Sequence, residues 1–331
     1  MATARTWRPN HQPEGPFQAR LSDVTALNRV FSDSFTERYR RDGLVGVRVP
    51  ALNPIIWRYA IEDAEGGAML WRDSRDEIAA FNIVHCSGRE GWMGPLAVRP
   101  DAQGVGIGTR IVRAGVEWLE NRNASPIGLE TMPRTMDNIG FYSRLGFAPT
   151  RLTITVTIDA AHGDHPPSLL GRLGVRDRED ALAECRSLVD GLLAGYDFSR
   201  ELSLTNELDL GDTVLFRDRG KLVGYALCHT VPLVEGRMRE ETRVLKLVLA
   251  RGTDIRVVMA GIADFARRNG TRRAAFRVQT EYLDAYRTMV GLGARVRWTD
   301  LRMTIDGRPE FRPRVGADGE GGGLVWSNWE I

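Results

Sequence analysis

The sequence predicts an α/β protein built as two units of one plan, and three observations carry that reading. An apolar run, Leu96-Ala97-Val98, passes through three closely spaced glycines, Gly104, Gly106 and Gly108, into a stretch of helical periodicity. A strand-like run, a short helix and an alternating strand come next, the order of an α/β unit. The same order recurs in degraded form after about residue 165, and 331 residues exceed the ~150 that one such unit needs.

Taken in order, residues 17–21 read as a short strand, 23–41 as a helix capped by Ser22 or Asp23, and 53–61 as a second helix. Residues 68–72 and 77–86 form a hairpin around Asp73-Ser74-Arg75-Asp76, and 92–98 is the strand that feeds the glycines. From Val105 onward, Ile107, Ile111, Val112, Gly115, Trp118 and Leu119 keep a helical period. A strand over 126–132 precedes a short helix whose one face carries Asn138 and Tyr142, four apart. Residues 150–158 then alternate through Leu152, Ile154, Val156 and Ile158. Residues 159–168, with two histidines, Gly163 and Pro166-Pro167, read as the linker, so the units are 1–160 and 161–331.

In the second unit, 213–216 and 222–229 form a hairpin around Asp218-Arg219-Gly220, and 244–249 is an apolar strand. Thr253 caps a helix through Ala266, 273–279 is a strand, and 282–290 is a helix ending at Gly291-Leu292-Gly293.

Glycines let backbone approach a ligand with no Cβ in the way, and the first amides of a helix point outward with the positive dipole end behind them. The 103–109 loop therefore suits an anion. A dinucleotide fingerprint fails, because Ile107 or Ile111 stands where the third glycine belongs. A P-loop fails because Gly108 precedes Thr109 with no lysine nearby. On these residues alone, a glycine-rich turn holding no ligand stays open. The pattern Gln103-x-x-Gly106-x-Gly108 resembles the pyrophosphate loop of the GNAT family of acyl-CoA-dependent N-acyltransferases. Asn138-Ile139-Gly140-Phe141-Tyr142-Ser143-Arg144-Leu145-Gly146-Phe147 is similar to that family's short helix with a tyrosine four residues before Gly-Phe.

The resemblance implies that each unit is a three-layer arrangement, a mixed central sheet flanked by helices. It implies acetyl-CoA as co-substrate and the primary amine of a small molecule or peptide as acceptor, joined by direct attack in a ternary complex. Leu96, Ala97 and Val98 would lie along the pantetheine, with the free edge groups of Leu96 and Val98 bonding its amides. Gln103, Gly104, Val105, Gly106, Ile107, Gly108 and Thr109 would hold the pyrophosphate, and Arg99, Arg110 or Arg113 would meet the remaining phosphate charge. Thr135 stands where many relatives carry asparagine, which gives that cofactor contact to Asn138, with Phe141 beside it.

Tyr142 is the expected acid for the departing thiolate. The strand before the loop, with Trp92, Met93, Gly94 and Pro95, carries no acid, so Glu130 on the neighbouring strand is the expected base. His85, mirrored by His229, is the second choice and reads better as packing. The second unit has lost both motifs: Ala250-Arg251-Gly252-Thr253-Asp254 is short with one glycine, and Met289 stands in the place of Tyr142. One acyl-CoA and one active site are expected. Two other readings are an acyl-CoA sensor without turnover and a tandem enzyme with two CoA sites, laid out like mycothiol synthase.

Composition bounds the rest. With 45 basic against 43 acidic side chains, nothing calls for nucleic acid or a membrane surface. Cys86, Cys185 and Cys228 are far apart, which argues against a disulfide framework or a metal and fits a cytoplasmic setting. Residues 1–17 have no apolar core of signal-peptide length, and no run approaches the ~20 apolar residues of a membrane span. Gly321-Gly322-Gly323 and the tail with Trp326 and Trp329 leave docking on another subunit, as in a homodimer, open beside ordinary packing.

Overall fold

A single sheet of 13 strands runs through both halves of the computed structural model, which describes residues 12–163, 166–313 and 322–329. The first half supplies β1 (Glu14–Gln18), α1 (Val24–Arg41), α2 (Pro54–Asp63), β2 (Ala68–Arg72), β3 (Ile78–Ser87), β4 (Glu90–Val98), α3 (Ile107–Glu120), β5 (Ile127–Thr131), α4 (Met136–Ser143) and β6 (Phe147–Asp159). The second supplies β7 (Ser168–Leu169), α5 (Val175–Leu192), α6 (Ser199–Glu207), β8 (Gly211–Asp218), β9 (Lys221–His229), β10 (Glu241–Leu249), α7 (Ile255–Arg268), β11 (Arg273–Gln279), α8 (Leu283–Gly291), β12 (Arg295–Ile305) and β13 (Leu324–Ser327). The mixed sheet flanked by helices is the architecture expected. Among the described residues, no helix is long and apolar enough to cross a membrane.

The strand order is β1-β2-β3-β4-β5-β12-β6-β11-β10-β9-β8-β7, with β13 paired to β10 off this path. Strand β12, absent from the sequence expectation, inserts between β5 and β6. It pairs Leu301 with Thr131 on one side and Leu301 with Leu152 on the other, antiparallel to both. β6 in turn pairs with β11, Val156 opposite Phe276. The closing strands of the two halves are thus exchanged across the molecule.

Local sequence explains the elements that hold the cleft. Helix α3 buries Ile107, Ile111, Val112 and Leu119 on one face. At Gly115 an added Cβ would sit 2.6 Å from Asn82 Nδ2 and from Met93 Sδ, so only glycine lets α3 lie this close to β3 and β4. Asn82 fastens the contact by donating to the Ile111 carbonyl (3.1 Å). On the opposite face, buried Asn28 of α1 donates to the Leu52 carbonyl (2.8 Å) and accepts from the Trp57 indole (2.6 Å), which joins α1 to α2 and to the segment between them.

Three expectations shift. The strand expected over 17–21 ends at Gln18, and Leu21–Asp23 form a helical turn in which the Asp23 carboxylate accepts from the Arg20 amide (2.9 Å). Thr253 does not cap α7: its hydroxyl goes to the Val223 carbonyl (3.0 Å), and Asp254 takes the cap by accepting from the Arg256 amide (2.9 Å). Helices α5 and α6 stand where nothing had been assigned. In α5 only Ala181, Cys185 and Val189 are buried, a stripe too narrow to stand out in a charged helix. Residues 164 and 165 of the expected linker, Gly321 of the glycine run and the first 11 residues lie outside the described residues.

Candidate active site

β4 and β5 run parallel for only three paired positions, Gly91 with Ile127, Trp92 with Gly128 and Met93 with Leu129. Beyond these they part. On its other edge β4 fits Gly94 and Pro95 between Met93 and Leu96 while β3 advances from Val84 to Asn82, a bulge that bends β4 away from β5. A strand edge released in this way offers unpaired backbone groups to an extended ligand.

Three contiguous cavities fill the gap. The first, about 320 Å³, lies between the end of α1, the outer part of β4, the glycine loop and α4. The second, about 180 Å³, sits at the fork and shares Phe35, Leu96, Asn138 and Tyr142 with the first. The third, about 330 Å³, shares Phe35, Met93, Gly94, Pro95 and Glu130 with the second and reaches the other half of the chain.

Of the residues expected to hold acetyl-CoA, Leu96, Ala97, Val98, Gln103, Gly108, Asn138 and Phe141 line the first cavity. Gly104 and Gly106 have φ of 86° and 85°, in the left-handed region that glycine enters at little cost. Gly106 is the residue before α3, so the Ile107, Gly108 and Thr109 amides are first-turn donors without partners inside the helix. At Gly108 an added Cβ would meet Phe141 Cζ at 3.3 Å, so the loop packs tightly on α4. Val105 is exposed beside them. The residues present therefore fit a diphosphate at the helix start and an extended arm along β4.

Other groups in this region are already engaged. The Val98 carbonyl accepts from Gln103 (2.9 Å) and from the Ser34 hydroxyl (3.1 Å). Arg99 pairs with Asp73 and Asp101, both at 2.6 Å, and Arg110 donates to the Pro13 carbonyl (2.9 Å). The cations that do line the first cavity are Arg38 and Arg41 of α1, and Arg41 also donates to Gln103 Oε1 (3.1 Å). Sequence reading passed over them, although Ser34, Phe35, Arg38 and Arg41 keep the spacing of one helix face. Thr135 is fully buried and gives its hydroxyl to Asp42 (2.9 Å), whereas Asn138 faces the first two cavities.

Tyr142 lines both of those cavities from α4. Burial pushes its phenol above the ordinary range, so it stays protonated at any physiological pH.

Glu130 is placed differently from what a base requires. Its side chain is 3% exposed and is held by Arg302 (2.6 Å), Arg277 and the Thr153 hydroxyl. Burial alone would push its carboxyl up, but the Arg277 and Arg302 guanidiniums outweigh that and hold it at about 2. The expectation that it accepts a proton from an ammonium is corrected accordingly: both oxygens serve an ion network. His85 is buried, receives or gives a proton to Asp63 (2.6 Å) and stacks on Trp92, apart from the three cavities.

The second half repeats the fork and fills it. β10 and β11 pair in parallel from Glu241 with Arg273 to Val244 with Phe276 and then part. Into that gap runs β13, antiparallel to β10, Lys246 opposite Ser327 through Leu249 opposite Leu324. Tyr282 donates to the Val325 carbonyl (3.2 Å). The start of α7 already carries the Asp254 carboxylate, and Met289 of α8 is fully buried. The tail continues to Trp329, whose indole donates to buried Glu90 (2.9 Å) under the Arg302 guanidinium, 4.0 Å from the ring centre.

Comparison with known proteins agrees with this architecture. Residues 29–147 match the model of the acetyltransferase (GNAT) family. An uncharacterised N-acetyltransferase of Bacillus subtilis (strain 168), YobR, is 25% identical over 75 residues, which span 23% of this chain and 30% of that protein. A protein of Pyrococcus horikoshii described as an acetyltransferase superposes with a TM-score of 0.64 over 97% of this chain and 99% of its own, at 14% identity. A tandem GNAT protein from the clavulanic acid biosynthesis pathway superposes with a TM-score of 0.57 over 89% and 98%, at 11% identity. Residues 29–147 are thus similar to the acetyltransferase (GNAT) family, and the chain as a whole shares the fold of the solved proteins it superposes on.

Proposed function

We propose that this protein transfers an acetyl group from acetyl-CoA to the primary amine of a small molecule or peptide, by direct attack in a ternary complex. The observation that carries this is Tyr142, which lines both the cavity beneath the glycine loop and the cavity at the fork. Residues 1–160 contribute the working motifs, and 161–331 form a degenerate unit whose fork is filled by β13.

Acetyl-CoA, when bound, supplies the activated acetyl thioester. The 103–109 loop would hold its diphosphate with the first amides of α3, Arg38 and Arg41 would balance charge, and Leu96 would present the edge of β4, the Val98 carbonyl being taken by Gln103 and Ser34. Tyr142 Oη delivers the proton that the departing sulfur takes up and is reprotonated by the proton that the attacking nitrogen sheds as the amide forms. Against ordinary values near 10 and 8.5 that transfer is uphill by ~1.5 units, about 2 kcal/mol, and burial adds to it, which a donor fixed in place accommodates. With Glu130 neutralised by two guanidiniums, the acceptor enters as its free base, the ~1 in 10³ fraction that a lysine-like amine offers at pH 7.

Tyr142→Phe is the test. Thiol release should fall by about one to three orders of magnitude, near the range of general acids, while CoA affinity measured by titration stays the same. Unchanged turnover removes Tyr142 from the chemistry.

A further inference from the structure

The third cavity is built by both halves of the chain, and its chemistry is one-sided. Phe31, Phe35 and Leu52 line it from the first half, Leu233 and Val234 from the segment between β9 and β10, and Trp329 from the tail. Among the described residues, no lining side chain apart from Tyr39 and Glu130 is ionisable, and Glu130 is balanced by Arg277 and Arg302.

The second-half wall is held by backbone bonds. The Asn53 amide donates to the Leu233 carbonyl (2.9 Å), Asn53 Nδ2 donates to the Pro232 carbonyl (3.3 Å), and Leu52 and Val234 form an isolated antiparallel bridge. Trp329 is fixed from behind by Glu90 and Arg302. The cavity opens onto the fork through Met93, Gly94 and Pro95, so whatever fills it points one end at the second cavity and Tyr142.

A second cationic centre on the acceptor would find no uncompensated carboxylate among the described lining residues and would lose its hydration, a large cost for an unpaired charge. An apolar body loses nothing and gains roughly 25 cal/mol for each Å² it buries. We infer that the acceptor is a monoamine with an apolar or aromatic body, and that Leu233, Val234 and Trp329 make the second half and the tail its specificity wall. This rests on the acetyl-transfer reading only for what happens to the amine, not for which amine binds.

Calorimetric titration of the full chain, saturated with CoA, tests it with phenethylamine, heptylamine and spermidine. The first two should bind saturably and spermidine at least tenfold more weakly. Leu233→Asn, at a half-exposed position where folding is not at stake, should weaken both apolar amines about tenfold with CoA affinity unchanged. Spermidine binding as tightly as phenethylamine, or apolar amines binding Leu233→Asn as they bind the natural chain, overturns the inference. Apolar amines that bind as expected but release no thiol from acetyl-CoA leave the pocket assignment standing and refute the transfer chemistry instead.

Discussion

Replacing Glu130 by glutamine separates a base from a structural anion. The Arg277 and Arg302 guanidiniums hold the Glu130 carboxyl at about 2 against an ordinary 4.5, with the side chain 3% exposed, so no solvent discount applies. At ~1.4 kcal/mol per unit, the folded state favours this charge by about 3 kcal/mol. That agrees with the ~3–5 kcal/mol lost when one member of a buried ion pair is removed. Because the folded value is depressed, this stabilisation is fully present above pH ~4.5 and fades as pH falls toward 2. Urea denaturation at pH 7 should therefore show a clearly lower midpoint for Glu130→Gln, with the gap narrowing at pH 3. Thiol release from the folded fraction should stay within about tenfold of the natural chain. A loss of ~10²–10⁴ in turnover with an unchanged midpoint is the signature of a general base and would refute the assignment.

Two further outcomes follow from the same geometry. If the acceptor enters as its free base, log kcat/KM should rise with unit slope between pH 6 and 9 and level off at the acceptor's own pKa, ~10 for an alkylamine; a plateau beginning near pH 7 for such an amine would reveal a titrating protein group. Titration with CoA should saturate at one equivalent per chain, since β13 lies along the β10 edge and Asp254 caps α7, and two equivalents would mean that the tail strand yields its place.

Much of the first half was legible because its signals are local. The glycine spacing, the helical period of Ile107, Ile111 and Val112, and the Tyr142-to-Gly146 interval each lie within a few residues, and each emerges where expected. The role of Glu130 was not legible, since its partners are 147 and 172 residues away and only the sheet order brings them together. β12 escaped for a related reason. Its Arg297, Asp300 and Arg302 break the apolar alternation of a strand, and their partners Thr157, Arg277 and Glu130 lie far off in the chain. Arg38 and Arg41 lay in plain view on α1, but a basic run at a helix C-terminus is already explained by the dipole. The tail's path into the second fork depends on pairing with β10, which no short-range pattern records.

The insertion of β12 beside β5 also bears on how the cleft comes into being. Gly128 of β5 pairs with Trp92 on one side but meets its partner on the other only at Thr304, so the outer wall of the fork has a bare edge until residues past 300 have left the ribosome. A nascent first half, however complete in its motifs, would expose that edge to any passing strand. Contacts of such sequence separation slow folding, and they also bind the two halves into one cooperative object. The second half, whose strand completes the sheet of the first, is thereby its folding partner as well as a wall of its cleft.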